Sequence, residues 1–278
     1  MNIQGYDFAV EKAGSGEPLI FVHGSAADYE IWQEQQSHFA DHFRAIRYSR
    51  RYHWPNKPIP EGADYAMADH VADLKAIIQE AAEPPVHLVG HSYGAIVCLL
   101  LAMDTPQLIR RMVLAEPPAI TLFVSNDPKP GELLRLLLRR PRTALSIIQL
   151  GVQGFEPAKK AAREGDLDQA LDVFGRFTLG DEYYENMSDE DWQKARRNMI
   201  KAEFLGSGFP KIDPAEVKQV DVPTLLIQGE DSPSVFHRVL DYLEELVPKI
   251  NRVEIPDASH VSQLNNPEAY RSAVMEFL

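Results

Sequence analysis

The chain has a single cysteine, Cys98, in 278 residues, so no intrachain disulfide is available to brace it. Cys98 lies within Ile96-Val97-Cys98-Leu99-Leu100 and reads as a small buried core residue. Basic residues are scarce too: 28 Lys and Arg stand against 41 Asp and Glu, a formal charge of −13. Binding to nucleic acid needs a basic footprint, and adhesion to anionic lipid benefits from one, so the balance argues against both. No apolar run approaches the length of a membrane span. The opening residues, Met1-Asn2-Ile3-Gln4-Gly5, lack the basic-then-apolar order of a secretion signal, which makes a cytoplasmic location the expectation. There is no metal-ligand spacing, phosphate loop or internal repeat, so neither metal nor cofactor is expected.

What the chain does contain is a hydrophobic fraction of 45%, enough for a substantial core, and one informative pentapeptide, Gly90-His91-Ser92-Tyr93-Gly94. An apolar run, Val86-His87-Leu88-Val89, precedes it, and a helical apolar stretch, Ala95 to Met103, follows. Glycine two residues before and two after a serine allows a sharp strand-to-helix turn, with the serine in a strained conformation at its tip. A short string of this kind arises by chance, but the strand before and the helix after are the context that a nucleophile elbow requires. Ser92 is the candidate nucleophile.

Two further elements supply partners. Leu19-Ile20-Phe21-Val22 reads as a buried strand ending at His23-Gly24-Ser25. An acyl-transfer enzyme needs two N–H donors aimed at the developing oxyanion, and the N–H groups of Ser25 and Tyr93 are assigned to that task. His260 follows the alternating strand Asn251 to Ile255 on a loop and precedes a helix signalled by Asn266-Pro267, with asparagine at the N-cap and proline at the first helical position. It lies after the serine in chain order.

With these residues in hand, nearly the whole chain resembles an α/β-hydrolase. The likeness starts at Gly14-Ser15-Gly16-Glu17-Pro18 before the His-Gly strand. It takes in Trp32, the Ser92 elbow and Val222-Pro223-Thr224-Leu225-Leu226-Ile227-Gln228-Gly229, and it ends with His260 and the terminal helix. The resemblance implies a doubly wound, mostly parallel α/β sheet and Ser–His–acid catalysis; it does not specify a substrate. The chain departs from the family pattern twice. The usual Asp-x-Arg-Gly-x-Gly-x-Ser loop is here Tyr48-Ser49-Arg50-Arg51-Tyr52-His53-Trp54-Pro55-Asn56. The usual acid, in a Gly-x-x-Asp turn, is replaced by serine in Gly229-Glu230-Asp231-Ser232.

Asp231 stands one residue early, and successive residues leaving a strand point in different directions. Glu116 closes the strand Arg111-Met112-Val113-Leu114-Ala115 and matches an alternative acid position used by some family members. Glu116 is therefore favoured as the triad acid, with Asp231 as the alternative. His23, Tyr52, His53 and Trp54 follow strands that end on the same rim as the elbow, where open α/β sheets bind ligands, so they are expected to line the substrate pocket.

The coarse map has an N-terminal strand through Tyr6, Phe8 and Val10, a helix over 28–43, a strand at 44–48 and a helix over 64–82. From Pro117 to about Asp221 strand patterning stops and leucine-rich helical segments alternate with proline and glycine. The acidic cluster between Asp181 and Asp191 reads as a solvated helical face. Residues 1–116 and 222–278 are read as the hydrolase core, and 117–221 as an inserted helical cap. Within it the leucines of the Arg135–Arg142 stretch are expected to pack on the protein, with the arginines solvated. The expected partner is a small-molecule acyl substrate, first a carboxylic ester, with a thioester, lactone or carbon–carbon bond beside a carbonyl as alternatives. A lyase using the same triad, or a ligand-binding receptor or carrier on a hydrolase scaffold, are the readings from other classes.

Overall fold

The computed structural model describes residues 1–278. A short antiparallel pair, β1 (Asn2–Ile3) and β2 (Tyr6–Asp7), precedes a sheet of seven strands. These are β3 (Val10–Ala13), β4 (Pro18–Val22), β5 (Arg44–Tyr48), β6 (Val86–His91), β7 (Ile109–Ala115), β8 (Thr224–Gly229) and β9 (Ile250–Ile255). Their spatial order is β3-β5-β4-β6-β7-β8-β9. The edge strand β3 pairs antiparallel with β5, and every other pair is parallel.

Parallel strands covered by helices on both faces need apolar residues on both, and β4, β6 and β8 are buried along their whole lengths. The two faces are nonetheless distinct. Ile20, Val22, Leu88, Met112, Leu114 and Leu226 pack with the helices Met67–Ala81, Tyr93–Asp104 and Ser234–Leu246. Their neighbours Leu19, Phe21, Val89, Val113, Leu225 and Ile227 face Trp32, Phe39 and Tyr270 on the opposite side. The chain moves outward to β5 on one side of β4 and to β6 on the other, so the connections diverge there. The crevice beyond the C-terminal ends of these strands is the position where such sheets bind ligands.

Several expected boundaries shift. The alternation through Tyr6, Phe8 and Val10 is divided between β2 and β3. The helix expected over 28–43 opens as a tight turn, Tyr29–Trp32, capped by the Asp28 carboxylate on the Glu30 N–H, and ends at Phe39. The helix expected over 64–82 spans Met67–Ala81.

No strand occurs between Ala115 and Thr224; the segment is a series of helices, the longer ones being Pro130–Arg139, Pro141–Gln149, Glu156–Glu164, Leu167–Leu179 and Asp189–Arg197. The leucine-rich stretch differs from its expected packing. Leu136 is buried, but Leu134 and Leu137 are exposed and Leu138 is 79% exposed. Pro141 starts a new helix there, and the preceding helix turns only a narrow stripe inward, toward Val124, Ile147 and Phe236.

Candidate active site

Ser92 follows β6 directly and has φ 51° and ψ −120°, a left-handed conformation that costs a non-glycine residue strain. Its N–H is held by the Ala115 carbonyl at 2.8 Å. The flanking glycines are required for space. A Cβ on Gly90 would lie 2.7 Å from the Ala95 Cα, and one on Gly94 would lie 2.3 Å from the Val22 carbonyl oxygen. Tyr93 begins the helix Tyr93–Asp104, so its N–H has no carbonyl one turn behind it. Ser25, in the loop after β4, has a backbone N–H with no hydrogen-bond partner in the protein.

Sheet register brings Glu116 to the same rim. His91 pairs with Ala115 across β6 and β7, so the next residues, Ser92 and Glu116, leave adjacent strands at one level. Glu116 also has a left-handed backbone, φ 45°, and is 1% exposed. One carboxylate oxygen, Oε1, accepts the Gly229 N–H at 2.8 Å, and Oε2 accepts His260 Nδ1–H at 2.6 Å. The Phe236 ring stacks on the His260 imidazole, with centroids 4.1 Å apart. With Nδ1 bonded to the carboxylate, Nε2 is the ring nitrogen left for other partners. Ser92 and His260 both line a cavity of about 680 Å³ that reaches the helices Leu167–Leu179 and Asp189–Arg197. They also line a narrow extension of about 40 Å³ with five phenylalanines in its wall.

Asp231 is not brought to His260. Beyond Gly229 the chain turns across the rim, with the Asp231 N–H donating to the Ala258 carbonyl. The exposed carboxylate accepts the Tyr183 hydroxyl at 2.8 Å. Ser232, in the position where the family usually carries its acid, is buried with its hydroxyl unpartnered.

His23, Tyr52, His53 and Trp54 do not line either cavity. The loop after β5 is folded back on itself: Ser49 Oγ donates to the Trp54 carbonyl, and Asn56 Nδ2 donates to the carbonyls of Ser49 and Arg50. His23 and His53 are thereby drawn beneath the site. His23 Nε2 accepts the Arg50 N–H at 2.8 Å, which leaves its proton on Nδ1, facing the Gly24 carbonyl. His53 bonds to the Ala27 carbonyl and to the Tyr65 hydroxyl, and that hydroxyl also accepts from Arg50. Burial, with Arg50 adding repulsion, holds both imidazoles well below the usual histidine range. The Tyr52 N–H donates to the Tyr6 hydroxyl. Trp54 is stacked by the Arg197 guanidinium, 3.8 Å from the ring centroid, and its N–H bonds to Asn198, so it joins the loop to the helix Asp189–Arg197.

Three residues near the site have no functional role legible in the sequence. His91, inside the elbow, donates from Nε2 to the His260 carbonyl at 2.7 Å, and burial pushes its pKa down to about 3. Arg50 is fully buried and donates to the His23 and Gly24 carbonyls and the Tyr65 hydroxyl. Glu203, on the short helix Lys201–Leu205, accepts the Ser25 hydroxyl at 2.5 Å and lines the narrow extension. A lone glutamate in a helical tract has no local pattern that marks it; only the tertiary contact does.

A family model described as the alpha/beta hydrolase fold matches residues 17–267. The human protein ABHD8 is 24% identical over 265 residues, covering 94% of this chain and 54% of that protein. The chain spans about half the length of the curated relatives it matches. Among solved structures, a thermophilic esterase from Thermogutta terrifontis superposes with a TM-score of 0.72 at 20% identity, over 97% of this chain and 92% of that one. The carboxylesterase CesB from Bacillus subtilis gives 0.70 at 20% identity, over 99% and 89%.

Proposed function

The chain belongs to the alpha/beta hydrolase fold family, and from that premise we propose that it hydrolyses a small carboxylic ester through an acyl-enzyme on Ser92. The observation that carries the reading is the 2.6 Å contact between Glu116 and His260 Nδ1, with His260 lining the same cavity as Ser92. In this mechanism His260 Nε2 takes the Ser92 proton as Oγ attacks the substrate carbonyl. Glu116 fixes the tautomer and stabilises the imidazolium that forms. The N–H groups of Ser25 and Tyr93 receive the oxyanion, and His260 returns the proton to the leaving alcohol. Water, deprotonated by the same imidazole, then releases the acid. Segment 117–221 acts as a cap over a core of residues 1–116 and 222–278, shaping the acyl pocket. The named activities of the two esterases that share the fold support an ester as substrate.

A fluorophosphonate probe tests the reading, since it reacts with a serine activated by a base and oxyanion donors. The wild-type chain labels at Ser92, and Ser92→Ala loses both labelling and ester turnover while keeping its thermal transition. Labelling that persists in Ser92→Ala would remove the nucleophile assignment.

A further inference from the structure

We propose that Glu203 makes this site selective for acyl substrates that carry a hydrogen-bond donor, a hydroxyl or an ammonium group, close to the carbonyl carbon. The proposal rests on the acyl-transfer reading of Ser92 above. Glu203 Oε1 is held by the Ser25 hydroxyl at 2.5 Å. The backbone N–H of that same Ser25 is the assigned oxyanion donor. The carboxylate therefore stands one side chain's length from the carbonyl that Ser92 would attack.

Its other oxygen makes no hydrogen bond within the protein, and the residue lines the narrow extension with Ser92 and Tyr93. Much of the remaining wall is aromatic, with Phe155, Phe174 and Phe204 among its members. Burial pushes the Glu203 carboxyl upward, while the charge of Arg50 and the Ser25 hydrogen bond oppose it. Arg50 donates its own hydrogen bonds to neutral oxygens only, so its buried charge is left to act on Glu203 at longer range.

A half-buried carboxylate with a free oxygen becomes costly once substrate expels water from around it, unless the substrate supplies a donor. A plain alkyl chain leaves that oxygen unpaired and a substrate carboxylate repels it, whereas a hydroxyl or ammonium group satisfies it. Sites built to hydrogen-bond a substrate group discriminate strongly against analogues that lack it.

The test uses the full chain and four p-nitrophenyl esters of one length: butanoate, β-hydroxybutanoate, β-aminobutanoate and the monosuccinate. Wild type is expected to favour the hydroxy and amino esters over butanoate by about 10- to 100-fold in kcat/KM, with the monosuccinate poorest. Glu203→Gln should lose the preference for the amino ester while keeping part of that for the hydroxy ester. Glu203→Leu should lose both and favour butanoate. A group that only fastens its helix to the Ser25 loop would lower all four rates together. That outcome, or wild type that cleaves all four alike in a Ser92-dependent way, overturns the selectivity and leaves the hydrolase reading standing. Failure of Ser92-dependent turnover on every ester overturns both. If Glu203→Leu does not fold, the wild-type ranking and the isosteric Gln variant decide alone.

Discussion

At the scale of single residues, the turn after β8 is one of two places where the sequence and the family pattern part company, with Ser232 at the usual acid position. Glu116 accepts two donors at once, the Gly229 N–H and His260 Nδ1–H. Glutamine in its place has one acceptor oxygen, so either orientation turns an amide N–H against a donor. On the proposed mechanism, Glu116→Gln is expected to lower kcat by about 10³- to 10⁴-fold, in line with loss of the orienting carboxylate in known triads. Asp231→Asn, which alters only an exposed contact to Tyr183, should keep most of the turnover; steady-state kinetics on one ester compare the two. The contact between Glu116 and His260 is readable in the sequence because a serine fills the usual acid position and a glutamate closes a neighbouring strand. Glu203 is not readable, because its relation to Ser25 spans 178 residues and depends on how the helical segment folds back over the rim.

At the scale of elements, strands are more legible than loops. The buried strands β4, β6 and β8 announce themselves as apolar runs bounded by turn residues. The loop after β5 reads as a ligand-facing rim because it follows a strand that ends on the same side of the sheet as the elbow. Its internal hydrogen bonds, invisible in the sequence, pull His53 inward and turn Trp54 toward Arg197. Trp54→Ala therefore removes a clamp between the loop and the helix Asp189–Arg197 rather than a pocket wall. A loss of about 1–2 kcal/mol is expected from the cation–π contact and its packing. That corresponds to a thermal midpoint lower by a few degrees, about 2–4 °C per kcal/mol for a chain of this size. Relative rates across acyl chain lengths should not change. A shifted chain-length preference at an unchanged midpoint would contradict the clamp. The leucines of Pro130–Arg139 show the same limit: their spacing predicts a helix, but which stripe turns inward depends on the neighbouring helix after Pro141.

At the scale of the whole molecule, the mostly parallel sheet and the helical insertion are legible in the alternation of strand and helix patterns, while the strand order and the buried polar layer under the rim are not. That layer holds four imidazoles, His23, His53, His70 and His91, each pushed down by burial. Lowered histidine pKa values mean that the folded chain keeps these rings neutral while the unfolded chain binds protons near pH 6.5. The unfolded state gains protons first, so their contribution to stability is present above about pH 6.5 and is lost as pH falls below it, by about 1.4 kcal/mol per ring per pH unit. Melting temperature should drop markedly between pH 7 and pH 5. Both ring nitrogens of His70 lack partners, and the ring packs against Tyr65 and Tyr93. His70→Phe should hold or raise the midpoint at pH 7 and shrink the acid-induced drop, and an unchanged drop would mean that His70 is protonated in the fold.

The left-handed backbone of Ser92 has a consequence at this same scale. Holding a serine at φ 51° costs about 1–3 kcal/mol, which the rest of the fold must offset. Glycine would adopt that conformation freely but carries no hydroxyl. Mutational drift under selection for folding alone would thus run toward glycine at position 92, and selection for the proposed chemistry would hold serine there.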